Sequence, residues 1–114
     1  MIINNDCWSV YIHLFPNNKT YVGITSDKPS TRWGNQGSGY KEQMVYSAIQ
    51  KYGWDNIDHI IFASNLTRLE ANNMEILLIE KLNSYVDGYN QTFGGEGKTE
   101  YSFEERRLVV NLWN

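Results

Sequence analysis

The chain has 114 residues, of which 41% are hydrophobic and 20% are charged, and a formal net charge of -3. This length and composition predict one globular domain and exclude a disordered chain. Its apolar stretches are too short to cross a membrane, the first residues lack a signal-peptide pattern, and a single cysteine excludes an internal disulfide, so we expect a soluble, cytoplasmic protein.

The first half of the chain predicts a β-hairpin followed by two helices. Trp8 to Phe15 alternates apolar and polar residues, a turn follows over 16–19, and β-branched and aromatic residues resume at 20–25. Pro29 and Ser30 can start a short helix that carries Arg32. Residues 42–52 place apolar side chains at helical spacing, and Gly53 is a typical residue at which to end that helix.

The second half predicts a strand and two further helices. Residues 56–63 (NIDHIIFA) favour a strand with a mostly buried surface. Thr67 and Glu70 fit a capping box, from which a helix should run to about Leu82, and a last amphipathic helix follows the glycine-rich segment 88–97. The predicted class is therefore α+β, a small, mainly antiparallel three-stranded sheet flanked by helices.

Charge is distributed unevenly along the chain. Residues 1–53 carry five Lys or Arg against three Asp or Glu, whereas residues 54–114 carry five against ten. An anionic partner would therefore approach the first half more easily. The acidic total argues against a tight, nonspecific nucleic-acid binder, because neutralisation of phosphates provides most of that affinity.

One carboxylate stands out by its position. Glu75 falls in the middle of the helix predicted after Thr67, and its helical neighbours are Ala71, Leu78 and Ile79. An unpaired charge on such an apolar face is costly, so Glu75 needs a partner. A cation such as Arg32 or a metal ion would serve, and the residues alone leave both possibilities open.

Five short elements resemble the GIY-YIG nucleases, in the expected order. They are Ser9-Val10-Tyr11, Tyr21-Val22-Gly23, Arg32, Glu75 and Asn90. The resemblance covers about residues 8–97. The segments RWGNQGSGYK and AIQKYGWDNIDH look most like the homing-endonuclease branch, which occurs in mobile elements of bacteria, phages and large viruses.

The resemblance implies hydrolysis of a DNA phosphodiester, most simply in double-stranded DNA, with one Mg²⁺ or Mn²⁺ ion. In similar enzymes the residue matching Glu75 binds the metal, and Arg32 would hold the scissile phosphate. Tyr11 would act as base or position the water, and Tyr21 would support it. Asn90 would brace the site, and Gly23 would allow close approach of the backbone or substrate.

The sequence departs from the family pattern at two positions. Ser9 replaces the leading glycine of the first tripeptide, and Gln36 stands where these enzymes often have a histidine. Glutamine cannot take up a proton at neutral pH. Tyr40 is a candidate substitute, the alternative being that it packs against its loop. His13 shares a face with Tyr11 and is a further accessory candidate or a structural residue, as His59 is expected to be.

The nuclease interpretation also makes a geometric prediction about the hairpin. A four-residue turn that pairs Phe15 with Thr20 would place Tyr11 and Tyr21 on opposite faces of the sheet. A bulge or a three-residue connection would bring both phenols to one face. Because the site needs them together, we predict an irregular hairpin.

Two other functions remain open on the sequence alone. One is a catalytically weak or inactive domain of the same fold that binds nucleic acid or protein, and the other is a structural module with a buried ion pair. For organisation, we expect a nuclease domain over residues 1–97 and a helix over 98–114 that docks on it or begins an extension. We expect a monomer or weak homodimer and no membrane partner.

Overall fold

Three antiparallel strands form the sheet on which the other elements pack. In the computed structural model, which describes residues 7–94, the strands are β1 (Trp8–Leu14), β2 (Thr20–Thr25) and β3 (Asp58–Leu66), in the order β2-β1-β3. The helices are α1 (Pro29–Trp33), α2 (Val45–Tyr52) and α3 (Arg68–Lys81), with 3-10 turns at Asn35–Tyr40 and Trp54–Asn56. The α+β class with a small antiparallel sheet is confirmed, whereas the predicted boundary at residue 97 and the helix over 98–114 lie outside the described residues.

The two faces of the sheet carry separate cores. One face packs on α2 and the 3-10 turns through a cluster rich in aromatic residues, with Tyr11, Phe15 and Tyr40 among its buried members. The opposite face packs on α3 through aliphatic side chains, including Val10 and Val22. The alternation predicted for the strands therefore separates an aromatic face from an aliphatic one.

The hairpin has the irregular connection that the sequence predicts. The N–H of Phe15 donates to the carbonyl of Lys19 at 3.0 Å, which leaves three residues between them. The last of these, Asn18, has a φ of 67°, the left-handed conformation that three-residue connections require. Tyr11 consequently pairs with Gly23, and Tyr21 pairs with His13, so both phenols lie on the aromatic face of the sheet.

β3 differs from its prediction in both length and burial. It runs from Asp58 to Leu66, and three of its apolar residues are exposed: Ile60 by 41%, Ile61 by 45% and Phe62 by 37%. The prediction that this strand has a mostly buried surface is wrong. β3 is an edge strand, and α3 packs mainly against β1 and β2. The apolar residues of β3, which would suit a central strand, are therefore left partly uncovered.

The helix ends follow their local chemistry. At the start of α3, the N–H of Glu70 donates to Oγ1 of Thr67 at 3.1 Å, and Oε1 of Glu70 accepts the N–H of Thr67 at 2.9 Å, which confirms the capping box. α2 begins at Val45 rather than near Glu42, because the preceding residues form turns. No helix within residues 7–94 is long and apolar enough to span a membrane.

Candidate active site

The aromatic face of the hairpin gathers the predicted tyrosines around a buried histidine. Tyr11 and His13 lie on β1 with ring centroids 5.2 Å apart, and Tyr21 on β2 stacks on His13 at 6.0 Å. Tyr40 adds its ring at 5.5 Å from His13. Tyr11, His13 and Tyr40 are each at most 1% exposed, so these three rings are buried in the fold.

The Tyr11 ring lies directly over the backbone of Gly23. A Cβ atom at residue 23 would stand 2.5 Å from Cζ of Tyr11, closer than carbon atoms can approach. The register places these two residues opposite each other on neighbouring strands. A glycine is therefore required for the phenol to occupy its position.

Gly23→Ala should destabilise the fold by about 2 kcal/mol, because the added methyl group forces Tyr11 out of a packed position. Urea unfolding followed by tryptophan fluorescence would measure the loss. In a Tyr11→Leu background, with the facing ring removed, the same substitution should cost much less. Equal costs in the two backgrounds would show that the ring and the glycine are not coupled.

The phenol groups of Tyr11 and Tyr40 share one set of hydrogen bonds, and that of Tyr21 makes another. The hydroxyls of Tyr11 and Tyr40 are 3.1 Å apart, and Nε2 of His13 is 2.8 Å from the Tyr40 hydroxyl. Tyr21 donates to Oε1 of Gln43 at 3.1 Å. Burial raises the pKa of Tyr11, Tyr21 and Tyr40 above the ordinary range of a phenol, so all three are neutral in the free protein at pH 7.

Arg32 is held beside these phenols by two contacts. Its Nη1 donates to the carbonyl of Gly39 at 2.9 Å, and its guanidinium lies 4.7 Å from the centre of the Tyr40 ring. The positive charge lowers the pKa of Tyr11 against the larger effect of burial. Both contacts fix the guanidinium plane, as the recognition of a phosphate group requires.

Glu75 is half-buried in the middle of α3, on the apolar face that the sequence predicts. Its neighbours Ala71, Leu78 and Ile79 are buried, and its charge reaches the tyrosine cluster, where it raises the pKa of Tyr11 and Tyr21. The structure therefore brings opposite charges from α1 and α3 to the same two phenols.

The donor set around Glu75 fits a hydrated divalent cation. Within residues 7–94 no group of three or more His, Cys, Asp and Glu side chains could form a metal cage. Mg²⁺ keeps several of its waters and binds proteins through one or two carboxylates together with substrate phosphates. One half-buried carboxylate whose charge reaches two phenols suits that ion, whereas it does not suit a zinc site with three or four protein ligands.

Asn90 supports β2 from its outer side. The side-chain Oδ1 accepts the N–H of Val22 at 2.9 Å, and Nδ2 donates to the carbonyl of the same residue at 2.8 Å. The next hydrogen bond along this edge runs from the N–H of Tyr89 to the carbonyl of Thr20 at 3.0 Å. Val22 lies between Tyr21 and Gly23, so the amide fixes the backbone from which the site projects.

Gln36 stands apart from the cluster. It is exposed, with a φ of 53°, and within residues 7–94 no hydrogen bond joins it to the tyrosines. Tyr40, the candidate substitute, is buried and contacts both Tyr11 and His13.

Two residues of the cluster were not among the predicted site residues. Gln43 binds Tyr21, and nothing in the sequence indicates that contact. His59 pairs with His13 across β1 and β3, and its Nδ1 lies 2.8 Å from Nδ1 of His13. The alternation of β1 places His13 toward the cluster, but the sequence does not indicate which residue of β3 pairs with it.

Comparison with known proteins gives one match. Residues 7–90 match the family model described as the GIY-YIG catalytic domain, which is more than half of the chain and includes all three strands and α1 to α3. No curated protein and no solved structure matches the chain significantly.

Proposed function

The chain belongs to the GIY-YIG catalytic domain family, a family of nucleases, and from this premise we propose that it is a metal-dependent endonuclease that hydrolyses phosphodiester bonds in double-stranded DNA. One observation carries the proposal. The charges of Arg32 and Glu75, which come from different helices, both act on the phenols of Tyr11 and Tyr21, which lie on one face of the hairpin. A structural module has no need to direct two opposite charges at the same two phenols.

The residues divide the work of hydrolysis as follows. Arg32 binds the scissile phosphate and disperses its developing negative charge through the guanidinium. Tyr11 orients the attacking water and receives its proton as the phenol gives up its own. Glu75 would hold the divalent cation, Mg²⁺ or Mn²⁺. When bound, such a cation neutralises charge on the leaving oxygen.

Tyr21 and Asn90 act on the geometry of this arrangement. Tyr21 keeps its hydroxyl on Gln43 and packs against His13 and Tyr40, which limits the positions open to the rings around it. Asn90 holds the backbone of β2 through Val22. Both residues therefore keep Tyr11 in position relative to the bound phosphate, and catalysis is sensitive to small errors in that position.

Cleavage of supercoiled plasmid tests the proposal. At low salt, where weak contacts to phosphates are strongest, nicked circles should accumulate with Mg²⁺ or Mn²⁺ and not with chelator. A folded protein that leaves the plasmid intact under every condition would contradict the proposed activity. Cleavage that persists in chelator would contradict its dependence on metal.

A further inference from the structure

A continuous chain of polar contacts leads from Tyr11 to the other side of the aromatic core. The Tyr11 hydroxyl is 3.1 Å from that of Tyr40, which is 2.8 Å from Nε2 of His13. Nδ1 of His13 is 2.8 Å from Nδ1 of His59, whose Nε2 is 2.9 Å from the carbonyl oxygen of Trp54. Every contact lies within hydrogen-bond distance.

The carbonyl at the end of the chain fixes the position of each proton. A carbonyl only accepts, so Nε2 of His59 carries a proton and Nδ1 of neutral His59 carries none. Nδ1 of His13 must then donate to it, which leaves Nε2 of His13 as an acceptor for the Tyr40 proton. The structure shows the Tyr40 hydroxyl placed to donate to Tyr11; with the Tyr40 proton on His13 instead, the oxygen of Tyr40 accepts from Tyr11.

The same heavy atoms also support the opposite direction. If His59 is protonated on both nitrogens, it donates to His13, which donates to Tyr40, and Tyr40 donates to Tyr11. The two arrangements differ by the transfer of one proton from Tyr11 to His59. No side chain has to move between them.

We propose that His59 is the terminal proton acceptor of the reaction, reached from Tyr11 through Tyr40 and His13. This route provides the proton uptake that Gln36 cannot provide, since glutamine takes up no proton. The inference rests on the proposed function for its catalytic meaning, while the proton positions follow from the Trp54 carbonyl and a neutral His59.

Atoms and charges balance over the step. The attacking water gives one proton to the oxygen of Tyr11, and the hydroxide that remains forms the new bond to phosphorus. The proton of Tyr11 moves to Tyr40, that of Tyr40 to Nε2 of His13, and that of His13 Nδ1 to His59 Nδ1. The bond to the leaving oxygen breaks, solvent water protonates that oxygen, and His59 later releases its proton to solvent.

The surroundings of the two histidines suit different parts of this path. His13 is fully buried and lies against Trp33 and Trp54, and burial, with the charges of His59 and Arg32, lowers its pKa to about 3. It therefore passes a proton without keeping it.

His59 can hold a proton and release it. It is half-buried, stacks on Trp54 at 3.8 Å between ring centroids, and is faced by Asp55, Asp58 and His13. Burial lowers its pKa, while the Trp54 carbonyl and the two carboxylates raise it. His59 is accordingly neutral at pH 7, as an acceptor must be, and half-exposed, as release requires.

Nitrogen chemical shifts of the histidine rings give a test that needs no activity. In ¹⁵N-labelled protein at pH 7, His13 should carry its proton on Nδ1 and His59 on Nε2. A neutral His13 protonated on Nε2 would overturn the inference. This result stands even if the plasmid is not cleaved, so failure of the relay and failure of the proposed function are distinguishable.

His59→Gln tests the transfer itself. The amide can accept from His13 and donate to Trp54, so the chain keeps its hydrogen bonds but loses the group that takes up the proton. Turnover at neutral pH should fall about a hundredfold with little change in KM. The wild type should lose activity as the pH falls through the His59 pKa, below its usual 6.5, and this acid limb should vanish in the variant.

An unchanged turnover or an unchanged acid limb in folded His59→Gln would overturn the inference, because the chain would then serve only to orient Tyr11. Circular dichroism establishes whether the variant folds. If it does not fold, the ring nitrogen shifts of the wild type decide between the two proton arrangements.

Discussion

Glu75→Ala should reduce metal-dependent nicking of plasmid DNA by about a thousandfold, or about 4 kcal/mol of transition-state stabilisation. The substitution removes the one carboxylate whose charge reaches both phenols of the site. Without it, the described residues offer no other acidic side chain shown to act on the tyrosine cluster, and the proposed cation would lose its protein ligand. Initial rates of nicking with saturating Mg²⁺ would measure the effect.

Two variants separate the loss of a ligand from damage to the fold. Glu75→Gln keeps the size of the side chain and should lose nearly as much activity, because a neutral amide binds Mg²⁺ poorly. Glu80→Ala changes an exposed carboxylate on the same helix and should cleave like the wild type. Rapid Mg²⁺-dependent nicking by Glu75→Ala would place the metal elsewhere.

Tyr11→Phe should lower the cleavage rate by about three orders of magnitude while the protein remains folded. The ring still fills its place over Gly23, but the hydroxyl that receives the water proton is gone. The loss should appear in turnover more than in DNA binding, because Arg32 keeps its contacts with Gly39 and the Tyr40 ring. Single-turnover cleavage together with DNA affinity at low salt would separate the two.

Tyr46→Phe is the matched control for that experiment. Tyr46 packs against the same aromatic core and is half-buried, but it lies outside the chain of contacts that begins at Tyr11. Removal of the Tyr46 hydroxyl should leave the cleavage rate near that of the wild type. If both variants lost activity equally, the defect would reflect packing of the core rather than proton transfer.

The order of elements and the side of the sheet used by the site could be predicted from local rules. The capping box fixed the start of α3, and strand alternation together with the need to unite Tyr11 and Tyr21 indicated the hairpin register. In both cases the decisive residues are within a few positions of each other, so short-range geometry determines the result.

Contacts between residues that are far apart in the sequence could not be predicted in the same way. His59 pairs with His13 through the β1–β3 register, and no periodicity in the sequence encodes which residues of two distant strands face each other. The exposure of Ile60 and Ile61 has a similar origin, since apolar composition does not say which strand becomes an edge. Both depend on how distant segments pack.

The double hydrogen bond of Asn90 also bears on self-association. An edge strand normally presents unpaired backbone groups that can template another strand and seed aggregation. On β2, the outward groups of Val22 are occupied by Asn90, and the carbonyl of Thr20 is occupied by Tyr89. A strand from a second molecule therefore finds these positions already filled, and the residue that steadies the site also protects this side of the sheet against edge-to-edge growth.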